Sequence, residues 1–162
     1  MTELENKKVE KLINDLSSDN GIIRQIARHE LVKIGHHTTI DHILKLLDSP
    51  KHMTRWEAIK AIEQLGDPIA TPLLIKSLQD DKFDIRWIAA EGLIRLGEPS
   101  IKPLMKQIVK DSDSVFIREG AHHILKELES RGIFKDKFGI INKLETLTDI
   151  SSLHFIAEKY LE

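Results

Sequence analysis

The sequence contains no cysteine. Structural disulfides, thiolate metal sites and a cysteine nucleophile are thereby excluded. It also lacks any run of 18 apolar residues, so no segment is expected to cross a bilayer as a helix. Basic residues are not in excess: 24 Lys and Arg stand against 26 Asp and Glu, a net charge of −2. Nucleic-acid binders usually carry a basic excess, and the balance counts against that class, although a local basic stripe would survive the average. There is no glycine-rich phosphate loop and no serine in a nucleophile-elbow context. Aromatics make up only 5% of the chain, and the alternation of β-branched and polar residues that marks strands is missing. The opening Met1-Thr2-Glu3-Leu4-Glu5-Asn6-Lys7-Lys8 is charged, with no apolar core behind it. That is unlike a secretory leader, and a cytoplasmic location is expected.

What is present is a repeat. Arg24, Arg55, Arg86 and Arg118 are spaced by 31, 31 and 32 residues. Three residues after each comes Ala27, Ala58, Ala89 or Ala121; seven after comes Leu31, Ile62, Leu93 or Leu125; ten after comes Ile34, Leu65, Leu96 or Leu128. These offsets trace one face of a helix. Gly35, Gly66 and Gly97 follow, where a helix C-terminus favours positive φ; Glu129 breaks the pattern in the last copy. A period of this length implies stacked helical units.

Each unit has a second helix. Asp67-Pro68 and Glu98-Pro99 open new segments, and Pro72 and Pro103 share one column, where a first helical turn has no use for an N–H. Asp48-Ser49-Pro50, Asp80-Asp81 and Asp111-Ser112-Asp113 read as polar turns capping the next first helix. Val9, Leu12, Ile13 and Leu16 mark an N-terminal capping helix within 1–18. Four repeats are expected at 19–49, 50–80, 81–112 and 113–147, the last with a second helix carrying Phe134, Phe138 and Ile141. A helix opened by Thr148-Asp149, with Leu153, Ile156, Ala157 and Tyr160, closes the chain over 148–162. It is expected to dock on the last unit, with another chain as the alternative. The expectation is a single all-α domain of about ten helices, wound as a right-handed α–α superhelix. Atypical ends seal the core of such a stack.

The arginine, alanine and glycine columns over residues 1 to about 146 resemble HEAT-like repeats in the short form of the phycobilin-lyase group. Arg86-Trp87 followed by Arg118-Glu119-Gly120-Ala121-His122-His123 also resembles bacterial HEAT-repeat proteins of similar length. The group includes bilin lyases, a deoxyhypusine hydroxylase with a di-iron centre and binding scaffolds, so the resemblance implies a fold and leaves the activity open. It also implies that the residues just after each repeat arginine line a concave, partner-contacting face.

Periodicity points to the same residues. With 100° per residue and Ala58 at zero, Ile62, Leu65 and Ala61 fall within about 60°. Trp56, Glu57, Lys60 and Gln64 lie opposite. The corresponding positions of later units add Trp87, Ile88, Glu91, Arg95, Glu119 and His123. Tryptophans one repeat apart suggest an aromatic platform, about 8–10 Å from helix to helix, rimmed by Glu57, Glu91 and Glu119; the plainer reading is packing between units. The functional expectation is a non-catalytic scaffold for a protein or peptide, without cofactor or membrane. The rival is a lyase-type or metal-dependent accessory enzyme using Glu57, Glu91, Glu119 and His123. Nucleic-acid binding is a third reading, opposed by the glutamates.

Glu119, His122 and His123 stand at i, i+3 and i+4, a spacing used by di-metal carboxylate proteins, with Glu91 a further candidate. The iron-binding pattern wants His-Glu after each repeat arginine, and only Glu57 matches it, so no metal is expected. His29-Glu30 and His36-His37 read as ordinary surface, the second pair in a turn. The arginine column is read as structural, pairing with turn carboxylates such as Asp19, Asp81 or Asp113. Gly92, on the core side, suggests close helix approach. Gly120, on the groove side, would leave a notch beside Trp87.

Overall fold

The computed structural model describes residues 2–35, 37–146 and 150–162. Ten α-helices occur among them: α1 (Glu3–Asp15), α2 (Gly21–Ile34), α3 (His37–Leu44), α4 (His52–Leu65), α5 (Thr71–Ser77), α6 (Phe83–Leu96), α7 (Glu98–Lys110), α8 (Val115–Ser130), α9 (Ile140–Glu145) and α10 (Ile150–Glu158). Helices α2, α4, α6 and α8 pack successively side by side as a first row. In the second row α7 lies between α5 and α10, and α1 packs on α2 and α3. The fold is an all-α superhelix of stacked helical pairs. No described helix is long and apolar enough to cross a membrane.

The core runs between the rows. The alanine column, Ala27, Ala58, Ala89 and Ala121, is buried, and so is the column at offset seven, Leu31, Ile62, Leu93 and Leu125. Small residues in one column and branched ones in the next let neighbouring helices approach while filling the space between rows. Gly35 and Gly66 end α2 and α4 in the left-handed conformation, and each N–H bonds the carbonyl four residues back. A Cβ on Gly92 would lie 2.9 Å from Leu74 Cδ2, which accounts for glycine inside α6.

The arginine column has one recurrent contact. Each guanidinium donates to the carbonyl six residues earlier: Arg24 to Ser18 at 2.8 Å, Arg55 to Ser49 at 2.9 Å, Arg86 to Asp80 at 2.8 Å and Arg118 to Ser112 at 3.1 Å. The turn before each first helix is thereby tied to that helix. Among the described residues, carboxylate pairing with turn residues holds only for Arg55, with Asp80 and Asp81. Arg24 and Arg118 take the backbone carbonyls of Asp19 and Asp113 instead of their side chains.

Four other expectations are corrected. Pro103 lies inside α7, because that helix begins directly after Gly97 instead of after a short turn. The polar turns before α4 and α6 give those helices no side-chain cap; Lys51 and Lys82 occupy the cap positions, while Ser49 and Asp80 bond the cap residues' own N–H groups. His36 lies outside the described residues, and His37 opens α3 instead of lying in a turn. Phe134 and Phe138 are not on a helix, since residues 131–139 are irregular and α9 begins only at Ile140. The cause is local: Asp136 accepts from the N–H groups of Ile140 and Ile141 at 2.9 and 3.0 Å, and this cap fixes the start of α9. Thr148 and Asp149 lie outside the described residues. Helix α10 packs on α7 and α9 within the same chain.

Candidate functional site

Position along the first-row helices decides which side chains reach the surface. A residue at offset two from the repeat arginine faces the preceding first-row helix. Glu57 and Ile88 occupy that column and are buried, at 4% and 7% exposure. Ile26 stands in the same column on α2 and is 56% exposed, since no earlier repeat covers it. Glu57 is therefore enclosed at a repeat boundary instead of facing a groove, and Ile88 meets the surface only as part of a trough lining; the wheel reading gave each helix only one core direction. A first-row helix in a stack has a neighbour on each flank as well as a second row behind it. The Glu57 carboxylate accepts from Arg28 Nε at 2.8 Å and stands 3.6 Å from Arg24 Nε. Arg28 also donates to Gln64 at 2.7 Å.

Offset one is different. Trp56 is half-buried, its indole 5.7 Å from the Arg28 guanidinium carbon, and packs partly on the core. Trp87 is exposed and lines two hollows at once. One, of about 120 Å³, lies between α6 and α8 and is walled by Phe83, Arg86, Trp87, Phe116, Glu119 and His123, with Leu78 and Gly120 also lining it. The other is a broader trough of about 460 Å³, lined by Trp56, Phe83, Asp84, Trp87 and Ile88. Trp87 thus forms the ridge between them. Gly120 lines the first hollow, but the space a side chain would take is filled instead of forming a notch: a Cβ there would come 3.1 Å from Leu78 Cδ2.

The site is built from stacked π faces. His123 stacks on Trp87 with centroids 4.7 Å apart, and Phe83 lies 6.2 Å from the same indole. The Arg86 guanidinium carbon sits 4.0 Å from the Phe116 ring centre and 5.7 Å from that of Phe83. A cation over a ring is worth roughly 0.5–2 kcal/mol, so Arg86 helps hold α6 and α8 in register. His123 Nε2 meets Glu91 Oε1 at 3.0 Å. The parallel contact across the previous helix pair is His52 Nε2 to Asp84, at 2.9 and 3.0 Å.

The remaining expected residues are dispersed. Lys60 pairs with Glu63 at 2.9 Å, and exposed Arg95 reaches the same carboxylate at 3.4 Å. Glu119 is exposed at the cleft edge. His122, one position from His123, turns to the other side of α8. Burial pushes its imidazole below the ordinary range, Lys126 adds to that push, and Nε2 is buried without a partner. Glu91 and His123 meet, but Glu119 and His122 do not join them; among the described residues no three His, Asp or Glu side chains are grouped to hold a metal.

Phe83 and Phe116 escaped the sequence reading, and Arg86 was read only as a member of the structural arginine column. Two signals pointed to them: Phe83 lies four residues before Trp87, and Phe116 four before Gly120. At that spacing side chains share a helix face.

Comparison with known proteins bears on the fold. The structure of the complex of CpcE and CpcF of phycocyanin lyase from Nostoc sp. PCC7120 is similar, with a TM-score of 0.63 and 19% identity over 97% of this chain and 99% of that one. An engineered protein is similar at a TM-score of 0.46 and 21% identity, over 94% and 77%. No curated protein sequence matches the chain. The pattern of the HEAT repeats family matches residues 9–93, from α1 through most of α6. That match spans just over half of the chain and includes three of the four arginine clasps, and the chain belongs to the HEAT-repeat family.

Proposed function

We propose that the chain is a non-catalytic binding scaffold, and that the first-row surface around Trp87 receives an apolar side chain of a protein or peptide partner. One observation carries this reading. Trp87 is 47% exposed between two hollows that no other part of the described chain covers. Tryptophan is enriched among the few residues that dominate binding energy, and an apolar centre with a polar rim suits an interface. Arg86, Glu119 and the His123–Glu91 pair supply that rim. The similar lyase structure is itself a complex of two proteins, which is the kind of use proposed here.

A second reading, accessory chemistry on a small ligand, draws on the His123–Glu91 pair beside the cleft. The cleft beside that pair, at about 120 Å³, supports the first reading instead, because small-molecule sites run to roughly 300–1,000 Å³. A space of that size accepts one side chain.

The test is a displayed-peptide selection on the intact protein, followed by affinity measurement against Trp87→Ala. Selected peptides are expected to carry an aromatic or branched aliphatic anchor and to lose about thirtyfold in affinity on Trp87→Ala, as for a hot-spot residue. Peptides that bind Trp87→Ala as tightly as the parent would overturn the assignment.

A further inference from the structure

The outer face of α7 departs from the repeat in a way that packing does not require. Lys102, Lys106 and Lys110 occupy every fourth position and are all exposed. Successive members stand about 6 Å apart along the axis. Matched by burial, with Leu104 and Ile108 set on Leu74 and Leu78, the positions 30 residues earlier are Pro72, Lys76 and Asp80, so the scaffold repeats lysine only at the middle place, where Lys76 is paired with Asp48. None of the three has a carboxylate partner within the described chain. Of the nine lysines before Lys102, all but Lys45 are paired with one. Asp111, at the end of α7, is held by the side-chain amides of Gln79 and Gln107.

Beside this row a trench of about 360 Å³ runs between α5 and α7, with Pro72, Ile75 and Pro103 as its apolar lining and Lys106 and Lys110 on its edge. A linear set of uncompensated cations next to an apolar trench has a definite complement. We infer that this second-row surface binds an acidic amphipathic helix of a partner, with carboxylates every fourth residue along the lysine row and apolar side chains in the trench. Two helices rise equally per residue, so the two charge rows match one to one. DNA phosphates advance 3.4 Å along each strand and do not share that spacing. An apolar lining also adds nothing to a phosphate backbone. The surface is distinct from that around Trp87 and is independent of the function proposed there.

The experiment uses the full chain and a fluorescein-labelled synthetic helical peptide with glutamate at every fourth position and leucine on the adjoining face. A glutamine-for-glutamate version and a 16-base-pair DNA duplex serve as rival probes. Anisotropy is followed for the parent, for Lys102→Gln/Lys106→Gln/Lys110→Gln and for Trp87→Ala, each verified as folded by circular dichroism. The acidic peptide should bind the parent, weaken about tenfold or more with the triple variant, and bind Trp87→Ala unchanged. The inference fails if the parent does not bind the acidic peptide, or if the triple variant binds it equally well. It also fails if the glutamine peptide binds as tightly, if the duplex binds more tightly, or if Trp87→Ala abolishes peptide binding.

Discussion

Arg28 on α2 donates its Nε–H to Glu57 on α4 at 2.8 Å, with both side chains almost fully enclosed. The bond crosses a repeat boundary in a column that elsewhere holds Ile88. Removing one member leaves the other charged and uncompensated in a low-dielectric setting, which costs about 3–5 kcal/mol. Glu57→Ala is expected to lower the free energy of unfolding by that amount in urea titration. The paired replacement Arg28→Met/Glu57→Leu should recover most of it, since an apolar pair of similar volume needs no desolvation. A loss under about 1 kcal/mol for Glu57→Ala would show that water reaches the pair.

Two glycines inside helices should respond differently to alanine. At Gly120 the new methyl would meet Leu78 Cδ2 at 3.1 Å, and at Gly92 it would meet both Leu74 methyls, at 2.9 and 3.1 Å. Alanine gains roughly 1 kcal/mol of helix propensity at either place, and overpacking a filled core costs about 1–3 kcal/mol. Gly120→Ala borders the open cleft, where Leu78 has room to yield, and should be close to neutral. Gly92→Ala lies between rows and should be less stable than Gly120→Ala by about 1 kcal/mol or more. Equal midpoints in thermal unfolding would refute the ordering.

His122 gives stability a pH dependence of known sign. Burial and then Lys126 depress its imidazole below the ordinary value of 6.5. On acidification the unfolded chain takes up this proton first, near 6.5, while the folded protein still resists it. Stability therefore falls as pH drops from about 6.5 toward the depressed folded value, and the loss is complete below that value. His122→Leu should show a smaller decrease between pH 7.5 and 5 than the parent. An unchanged decrease would place the acid sensitivity elsewhere.

At the C-terminal end, the Tyr160 hydroxyl donates to Asp136 Oδ1 at 2.5 Å and accepts the Phe138 N–H at 3.0 Å. Burial works against the Asp136 carboxylate, yet the bonds from Tyr160, Ile141, Ile140 and Gly139 hold it below the usual range. Its stabilising contribution is present above the unfolded value and is lost as pH falls through the folded one. Asp136→Ala removes the cap of α9 as well and should cost about 1–2 kcal/mol. Tyr160→Phe should cost about 1 kcal/mol. In both, hydrogen exchange should speed up first at residues 136–145, and uniform acceleration across α2 to α8 would contradict a local role.

The fold was legible because Ala58, Ile62 and their repeats answer to one constraint, the distance between rows. Columns obeying a single constraint show themselves by period alone. Glu57 was misread because a second constraint, the neighbouring repeat, acts about a quarter-turn away, and a helical wheel has no axis for it. Glu57 shows the difficulty well: a carboxylate reads as surface until its arginine, 29 residues earlier, is known. The cleft was half legible. Trp87 stood out as an aromatic in a polar arc, whereas Phe83 and Phe116 lie at helix starts, before the apolar period is established. The irregular 131–139 segment was read as helix because its phenylalanines have helical spacing, and nothing local announced that Asp136 would cap α9.

The arginine clasp has a consequence for how such a chain can lengthen. Each guanidinium binds a backbone carbonyl six residues earlier, the last residue of the preceding unit, and a carbonyl makes no demand on which side chain stands there. A tandem duplication of some 31 codons would therefore find an acceptor for its arginine at every new junction. The clasps themselves then ask for no compensating substitution when the number of copies changes, while positions outside them, such as Trp87 and the α7 lysines, remain free to diverge from copy to copy.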